Sequence, residues 1–148
     1  MSAAKKEAIP VTIVSIEDDG CHLMVEGLIN GIEANLLIDT GASRTVFDQD
    51  RVMRFFGDGA IDFEANEKLS TGLGTSTMES RTVQLDEIRL GELLIKDYTA
   101  VVLQMSHINE SYDKLNLPGI DGVIGGDLLE KYGAVVDYGS KELRVLGS

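Results

Sequence analysis

The composition of this 148-residue chain excludes several classes of protein before any motif is considered. Hydrophobic residues make up 43%, which is too large a fraction for a disordered chain, and the length suits one domain with its own core. The formal net charge of −12 argues against nucleic acid and anionic membrane surfaces as partners, because both are negatively charged. Sixteen glycines beside two prolines favour many turns and short strands over a helix bundle.

The cysteine, the histidines and the N-terminal residues bear on compartment and on metal binding. Cys21 is the single cysteine, so an intramolecular disulfide is impossible, and this is compatible with an intracellular protein. Together with His22 and His107 it does not give the spacing of a metal site, and we expect neither a metal nor an organic cofactor. The start of the chain lacks the apolar run of a signal peptide, and no segment has the length of a transmembrane helix. We therefore expect a cytoplasmic protein that does not enter a membrane.

The first third of the sequence predicts strands that lead to one loop. Residues 1–9 are interpreted as a flexible N-terminal tail. Residues 11–16 and 23–28 are short runs rich in β-branched and apolar residues, which is typical of strands. Asn30-Gly31 is a two-residue hairpin signal, so the chain is expected to return along residues 32–38 as a third strand.

The middle of the sequence predicts a short helix and a pair of strands. Residues 48–56 carry apolar residues at helical spacing, with Asp48 as the expected N-cap. Residues 57–68 are polar and are interpreted as an irregular connection. Residues 83–90 and 93–103 are expected to pair as antiparallel strands.

The last third predicts further short elements of both kinds. These are a short helix or ordered loop within 104–118, a strand at 120–124, a helix at 126–132 and strands at 134–137 and 142–146. The chain is therefore expected to be mostly β, with one or two short helices, and residues 10–148 are expected to form a single domain.

One stretch, Leu36-Leu37-Ile38-Asp39-Thr40-Gly41-Ala42-Ser43, suggests chemistry. Three apolar residues run into an aspartate, which a hydroxyl residue and a glycine then follow. A carboxylate at the rim of a core loses part of its hydration, and this loss is unfavourable unless a partner compensates for it. The position of Asp39 therefore favours a chemical role. The alternative is a strand that simply ends in an Asp-initiated turn, since Asp and Gly are common turn residues.

A second segment, Val123-Ile124-Gly125, completes a recognisable pair of motifs. It is a short apolar run that ends in glycine and precedes the helix expected at 126–132. With both motifs, residues 11–146 resemble the retropepsin-like aspartic proteases, which are the single-domain, retroviral-type branch and its bacterial relatives. The resemblance implies an acid protease β-barrel in which the later segment passes beside the Asp-Thr-Gly loop.

The resemblance also implies roles for individual residues. Asp39 is the expected catalytic carboxylate, and Thr40 and Gly41 are expected to support its loop. Ala42 and a glycine-tipped flap are expected to contact the substrate, with Gly72-Leu73-Gly74 as the candidate tip of the flap. The alternative for that segment is an ordinary surface hairpin.

Peptide hydrolysis by carboxylates requires two of them around one water. The ionised one accepts a proton from the water, and the protonated one polarises the peptide carbonyl. The chain has one Asp-Thr-Gly, and Asp121 and Asp137 lack that context. A homodimer in which the two copies of Asp39 meet on the two-fold axis would supply the pair. We therefore expect a homodimeric aspartic endopeptidase that acts on peptides or proteins. The alternative is a catalytically inactive retropepsin-fold module for peptide binding or dimerisation.

Two positions depart together from the retroviral pattern. Ser43 and Arg44 stand where retroviral enzymes usually carry an acid and another polar residue. Gly126, followed by Asp127, stands where they usually carry Arg. We expect Arg44 and Asp127 to form an ion pair beside the Asp39 loop, and the alternative is two separate solvated charges.

Overall fold

Most of the backbone lies in β-strands. The structure is a computed structural model that describes residues 6–16, 20–56, 64–70 and 77–146. The strands are β1 (Lys6–Pro10), β2 (Thr12–Ile16), β3 (Gly20–Ile29), β4 (Ile32–Ile38), β5 (Val46–Asp48), β6 (Glu64–Ser70), β7 (Thr77–Leu90), β8 (Leu93–Leu103), β9 (Gly122–Ile124), β10 (Val135–Asp137) and β11 (Glu142–Leu146). The described helices are a 3₁₀ helix (Val52–Phe56), α1 (Ser106–Lys114) and α2 (Gly126–Lys131).

Six strands close into a barrel. They follow the order β3-β4-β9-β5-β8-β7, and a pairing between β7 and β3 completes the ring. Outside this ring, β2 pairs with β3 and β6 pairs with β7. Apolar side chains such as Leu36 on β4 and Ile88 on β7 are buried inside this ring. Their burial is the main driving force for its closure.

The strand that leads to the candidate loop is buried on both faces. Leu36 and Ile38 belong to the main core, whereas Leu37 packs into a second core with Tyr112 and Val123. This explains why β4 reads as a continuous apolar run and not as an alternating one. β4 lies between β3 and β9, which hold its end in place, and the candidate loop begins at that end.

The predicted Asn30-Gly31 hairpin joins β3 to β4. Both residues adopt positive φ angles, 51° and 82°, as the tight two-residue turn of a twisted hairpin requires. The Asn30 side chain then accepts hydrogen bonds from the backbone N–H groups of Asp86 (2.9 Å) and Glu87 (3.1 Å). One turn residue thus sets the register of β4 and also ties the hairpin to β7.

A smaller sheet packs beneath the barrel. β11 lies at its centre, with β1 on one side and β10 on the other, and both pairings are antiparallel. Ile9, Leu143 and Val145 face the main core and are almost fully buried. The two ends of the described chain are therefore fastened to each other.

Three expectations from the sequence were wrong in part. Residues 6–9, assigned to a flexible tail, belong to β1, because they pair with the C-terminal strand. Residues 64–68, assigned to an irregular connection, belong to β6 and pair with β7. Asp48 does not cap the helix after it, since it is 2% exposed and its Oδ1 accepts a hydrogen bond from the N–H of Met105 at 2.8 Å.

Candidate active site

Asp39 lies where β4 leaves the core. Parallel pairing with β9 sets Leu36, Leu37 and Ile38 beside Gly122, Val123 and Ile124. One step further, the Asp39 N–H donates to the carbonyl of Ile124 at 3.0 Å. The two sequence motifs are therefore adjacent, and the Asp39 backbone is held by the end of the later one.

The loop then turns within three residues. The Gly41 N–H donates to Oδ1 of Asp39 at 2.9 Å, and the Ala42 N–H donates to the Asp39 carbonyl at 3.2 Å. Asp39, Thr40 and Gly41 are exposed in the single subunit. The carboxylate is thus oriented by one backbone donor, while the rest of its surface stays open for a partner or a substrate.

Gly125 and Gly126 allow the later segment to cross under this loop. A Cβ atom on Gly125 would lie 2.5 Å from the Arg44 carbonyl oxygen and 2.9 Å from that of Ala42. Both distances are shorter than real carbon–oxygen contacts, so only glycine fits. The Gly126 N–H also donates to the Ala42 carbonyl at 2.6 Å, which ties the loop to the start of α2.

A hydrogen-bond network fastens the far arm of the loop. Thr45 is fully buried, accepts a hydrogen bond from the Gly125 N–H at 3.0 Å, and donates to Oδ1 of Asp127 at 2.7 Å. Tyr98, on β8, donates to Oδ2 of the same carboxylate at 2.6 Å. Asp127 therefore links α2, the loop and the barrel wall.

The ionisation of this network follows from its contacts. Burial and the adjacent Asp127 carboxylate together raise the pKa of Tyr98 to about 12, so the phenol stays protonated and donates. Burial acts to raise the pKa of Asp127, but the hydrogen bonds from Tyr98, Thr45 and the Leu128 N–H lower it on balance. The network is consequently an anion surrounded by donors at neutral pH.

The expected contact between Arg44 and Asp127 is present but weak. Arg44 Nε lies 3.9 Å from Oδ2 of Asp127, within the range of an ion pair and beyond that of a hydrogen bond. The Arg44 side chain is 60% exposed, so solvent screens the attraction. Oδ2 of Asp127 accepts a hydrogen bond from Tyr98, and the expected pair of parallel hydrogen bonds from Arg44 does not form. The sequence did not single out Tyr98 or Thr45, although Thr45, a hydroxyl residue directly before the apolar start of β5, was a possible signal.

A cleft of about 400 Å³ opens beside Asp39. Its lining comprises Cys21, His22, Leu23, Leu37, Ile38, Asp39, Thr40, Val136 and Tyr138. The cleft therefore joins the candidate catalytic carboxylate to β3 on one side and to the small sheet on the other.

The structure brings together four of the predicted site residues, Asp39, Thr40, Gly41 and Ala42, in one turn. The candidate flap tip, Gly72-Leu73-Gly74, lies outside the described residues. The strands on either side of it, β6 and β7, pair with each other as far as Ser70 and Thr77.

Asp121, at the other end of β9, has a structural role that the sequence did not reveal. It is fully buried, and the Asn35 N–H donates to its Oδ2 at 2.8 Å. Arg51 Nε donates to Oδ1 at 2.9 Å, and Arg54 Nη2 donates to Oδ2 at 2.7 Å. The carboxylate joins the 3₁₀-helix region to the β4–β9 pair and has no free face.

The described residues contain no cluster of side chains suited to a metal ion. Within the same residues, neither α1 nor α2 has the length and apolar composition that crossing a bilayer requires.

Comparison with known proteins places this geometry in a family. The sequence profile described as "Aspartyl protease" matches residues 25–128, which include both motifs. No curated protein matches the sequence. Among solved structures, the fold is similar to a retropepsin-like aspartic protease from Rickettsia conorii, with 19% identity, 99% of this chain and 97% of that chain covered, and a TM-score of 0.58.

Two further structures share the fold. The retroviral protease-like domain of Ddi1 from Leishmania major is 16% identical over 84% of this chain and 87% of that chain, with a TM-score of 0.55. The EIAV protease, complexed with the inhibitor HBY-793, is 19% identical over 84% of this chain and 99% of that chain, with a TM-score of 0.53. The predicted mostly β, retropepsin-like fold is confirmed. Since the profile match spans more than half of the sequence, the chain belongs to the aspartyl protease family.

Proposed function

We propose that this protein is an aspartic endopeptidase whose active form is a homodimer, with one Asp39 carboxylate from each subunit. The observation that carries the proposal is the open carboxylate. Asp39 is exposed, oriented by the Gly41 N–H and placed at the edge of a cleft, on the fold of an aspartyl protease family member. This arrangement suits a group whose remaining partners come from a second subunit and a substrate.

The chemistry requires the pair to hold one proton between them. Two carboxylates held about 3 Å apart do not both ionise easily, so one remains protonated. The ionised carboxylate accepts a proton from the water as the water oxygen attacks the peptide carbonyl carbon. The protonated carboxylate donates a hydrogen bond to the carbonyl oxygen, and the tetrahedral intermediate then collapses as the amine nitrogen takes a proton. The reaction consumes water and uses only the two carboxylates.

Three other aspartates of the described subunit already have partners. Asp121 is buried between two arginines, and Asp48 is buried against the Met105 N–H. Asp137 is paired with Arg144 at 2.7 Å. Each of these carboxylates is already occupied, which supports a second Asp39 as the missing partner.

Thr40 supports the same arrangement. Its side chain is exposed, and within the described residues its hydroxyl has no hydrogen-bond partner. A hydroxyl beside the two-fold axis can donate to the backbone of the partner loop and accept from it. In the proposed dimer, the two copies of Thr40 lock the two Asp39 loops together.

The direct test is a digest of a diverse peptide library by the wild type and by Asp39→Asn. The amide is nearly isosteric but cannot accept the proton from water, so cleavage should fall by on the order of 10³-fold or more. Asp113→Asn, a change of another exposed aspartate, on α1, is the matched control and should cleave as the wild type does.

Two results would overturn the proposal. Equal cleavage by wild type and Asp39→Asn would show that Asp39 is not the catalytic group. Peptides that bind to the wild type without being cut at any pH tested would favour the inactive peptide-binding module instead.

A further inference from the structure

The wall of the cleft opposite Asp39 is built from β3. The last pair in the β3–β4 register joins Leu23 to Ile38, and His22 and Asp39 are the neighbouring residues of this pair on the two chain segments. His22 and Asp39 also line the same cleft. A substrate that reaches Asp39 therefore passes the imidazole of His22.

A buried tyrosine holds this imidazole in place. The Tyr112 hydroxyl lies 2.7 Å from Nδ1 of His22, and the two rings stack with centroids 5.8 Å apart at an angle of 22°. Tyr112 is 1% exposed, and burial raises the pKa of its phenol, so the hydroxyl keeps its proton. His22 is the partner that the described residues offer to this hydroxyl.

The contact determines which nitrogen of His22 carries the proton. A buried phenol needs an acceptor for its O–H, and Nδ1 is the acceptor within reach. When Nδ1 of a neutral imidazole accepts, the proton is on Nε2. Within the described residues no hydrogen bond reaches Nε2, and the His22 ring is partly exposed on the cleft. The cleft thus contains an oriented N–H donor that has no partner among the described residues.

We infer that His22 is a specificity-determining residue, whose Nε2–H binds a hydrogen-bond acceptor, a side-chain amide or carboxylate, on a substrate residue next to the cut bond. The other walls support this choice. Leu23, Leu37, Ile38 and Val136 form the apolar part of the lining, which suits the methylene stem of such a side chain and leaves His22 to bind its end. A hydrogen bond to an oriented donor discriminates between substrates, because a substrate without an acceptor leaves the donor unpaired. This inference rests on the proposed peptidase function.

The test uses peptides that differ at one position. The two peptide positions that flank the cut bond, one on each side, carry Gln or Met in turn. Met is similar to Gln in length but has no strong hydrogen-bond acceptor. Gln is used because it avoids long-range repulsion from a chain of net charge −12. At one position, wild-type kcat/KM should be about tenfold higher for the Gln peptide, the factor that a hydrogen bond of ordinary strength gives.

Variants at position 22 link this ratio to the imidazole. In His22→Phe, which keeps an aromatic ring but has no N–H, the Gln-to-Met ratio should fall to about one. In His22→Gln, which restores an N–H donor, the ratio should recover in part. His107→Phe changes the other histidine, exposed on α1, and should keep the wild-type ratio. The ratio compares two peptides with one enzyme, so a loss of total activity in a variant does not affect it.

A binding measurement separates this inference from the proposed function. Asp39→Asn should bind the Gln peptide more tightly than the Met peptide by a similar ratio, even though it cuts neither. Wild-type cleavage with equal kcat/KM for both peptides at every position would overturn the inference and leave the peptidase intact. Selective binding of the Gln peptide without wild-type cleavage would overturn the peptidase and leave the His22 contact intact.

Discussion

Two carboxylates lie at opposite ends of the same pair of parallel strands. Asp39 follows β4 and is exposed, with one short hydrogen bond to its side chain, from Gly41. Asp121 precedes β9 and is fully buried, with donors from Asn35, Arg51 and Arg54. The difference teaches how to separate structural from functional acids in this chain. The subunit satisfies Asp121 completely, whereas it orients Asp39 and leaves it open.

The largest effect on stability is expected from a substitution of Asp121, the buried carboxylate. Asp121→Asn removes the negative charge that Arg51 and Arg54 share and should lower the free energy of unfolding by about 3 kcal/mol. That is the lower end of the range for breaking a buried ion pair, because both arginines reach solvent. Chemical denaturation measures the change. Asp39→Asn is the counterpart at the open end and should change stability by no more than about 0.5 kcal/mol. Equal losses from the two variants would remove the distinction.

Asp127 is intermediate between the two, and Tyr98→Phe tests it. The change removes only the hydroxyl that donates to the Asp127 carboxylate. A hydrogen bond to a charged group contributes about 1.5–3 kcal/mol, and we expect about 1.5 kcal/mol here because the carboxylate is part-exposed.

Chemical denaturation measures the free energy of unfolding of Tyr98→Phe, and Tyr132→Phe is the matched control. The Tyr132 hydroxyl has no hydrogen bond to the described residues, so its removal should have little effect. If both variants lost the same stability, the Asp127 network would not be fastening the loop.

The lowered pKa of Asp137, on β10 of the small sheet, predicts how the stability of the protein depends on pH. The hydrogen bond from Arg144, helped by the Ser140 N–H, lowers the pKa of Asp137 to about 2 from the ordinary 3.8. A carboxylate whose pKa is lowered by folding stabilises the folded state above its unfolded value, and this contribution is lost as the pH falls through the folded value. Stability should therefore decline from about pH 4 towards about pH 2, and less steeply in Asp137→Asn. Parallel slopes for the two proteins would contradict this.

The smallest effect is expected from Arg44. Its single contact with Asp127 is 3.9 Å long, and its side chain is 60% exposed. Arg44→Gln should change the free energy of unfolding by less than about 0.5 kcal/mol, as for other exposed ion pairs. Denaturation at low and high salt measures this, and a loss above about 1 kcal/mol in low salt would show that the pair contributes more than its geometry suggests.

Local signals predicted the parts of this fold that depend on neighbouring residues. The Asn30-Gly31 turn and the apolar run into Asp39 were predictable, because each follows from conformational freedom or burial within a few residues. The Gly125 crossing was predicted from the family resemblance and not from local signals. The strand at Lys6–Pro10 was missed because its partner, β11, is at the other end of the chain. Its sequence, Lys6-Glu7-Ala8-Ile9-Pro10, also lacks the run of β-branched residues that marks a strand such as β2.

The site shows the same limit. Asp39, Thr40 and Gly41 were recognised from one short motif, whereas Tyr98 reaches Asp127 only because β8 folds against the start of α2. Asp121 was taken for a turn or strand-end residue, since Asp-Gly is a common turn pair. Its burial depends on Arg51 and Arg54, which are about seventy residues earlier in the chain. Contacts of that kind are determined by the tertiary fold and are not visible in the local sequence.

The central claim, that two copies of Asp39 act together, is tested most directly by mixing subunits. Wild type and Asp39→Asn are combined in equal amounts under conditions that allow subunit exchange, and peptide cleavage is measured at constant total protein. If each active site needs both carboxylates, only wild-type pairs cut, and about one quarter of the pure wild-type activity should remain. Activity of about one half, in proportion to the wild-type subunits after complete exchange, would show that one Asp39 is sufficient and would contradict the account.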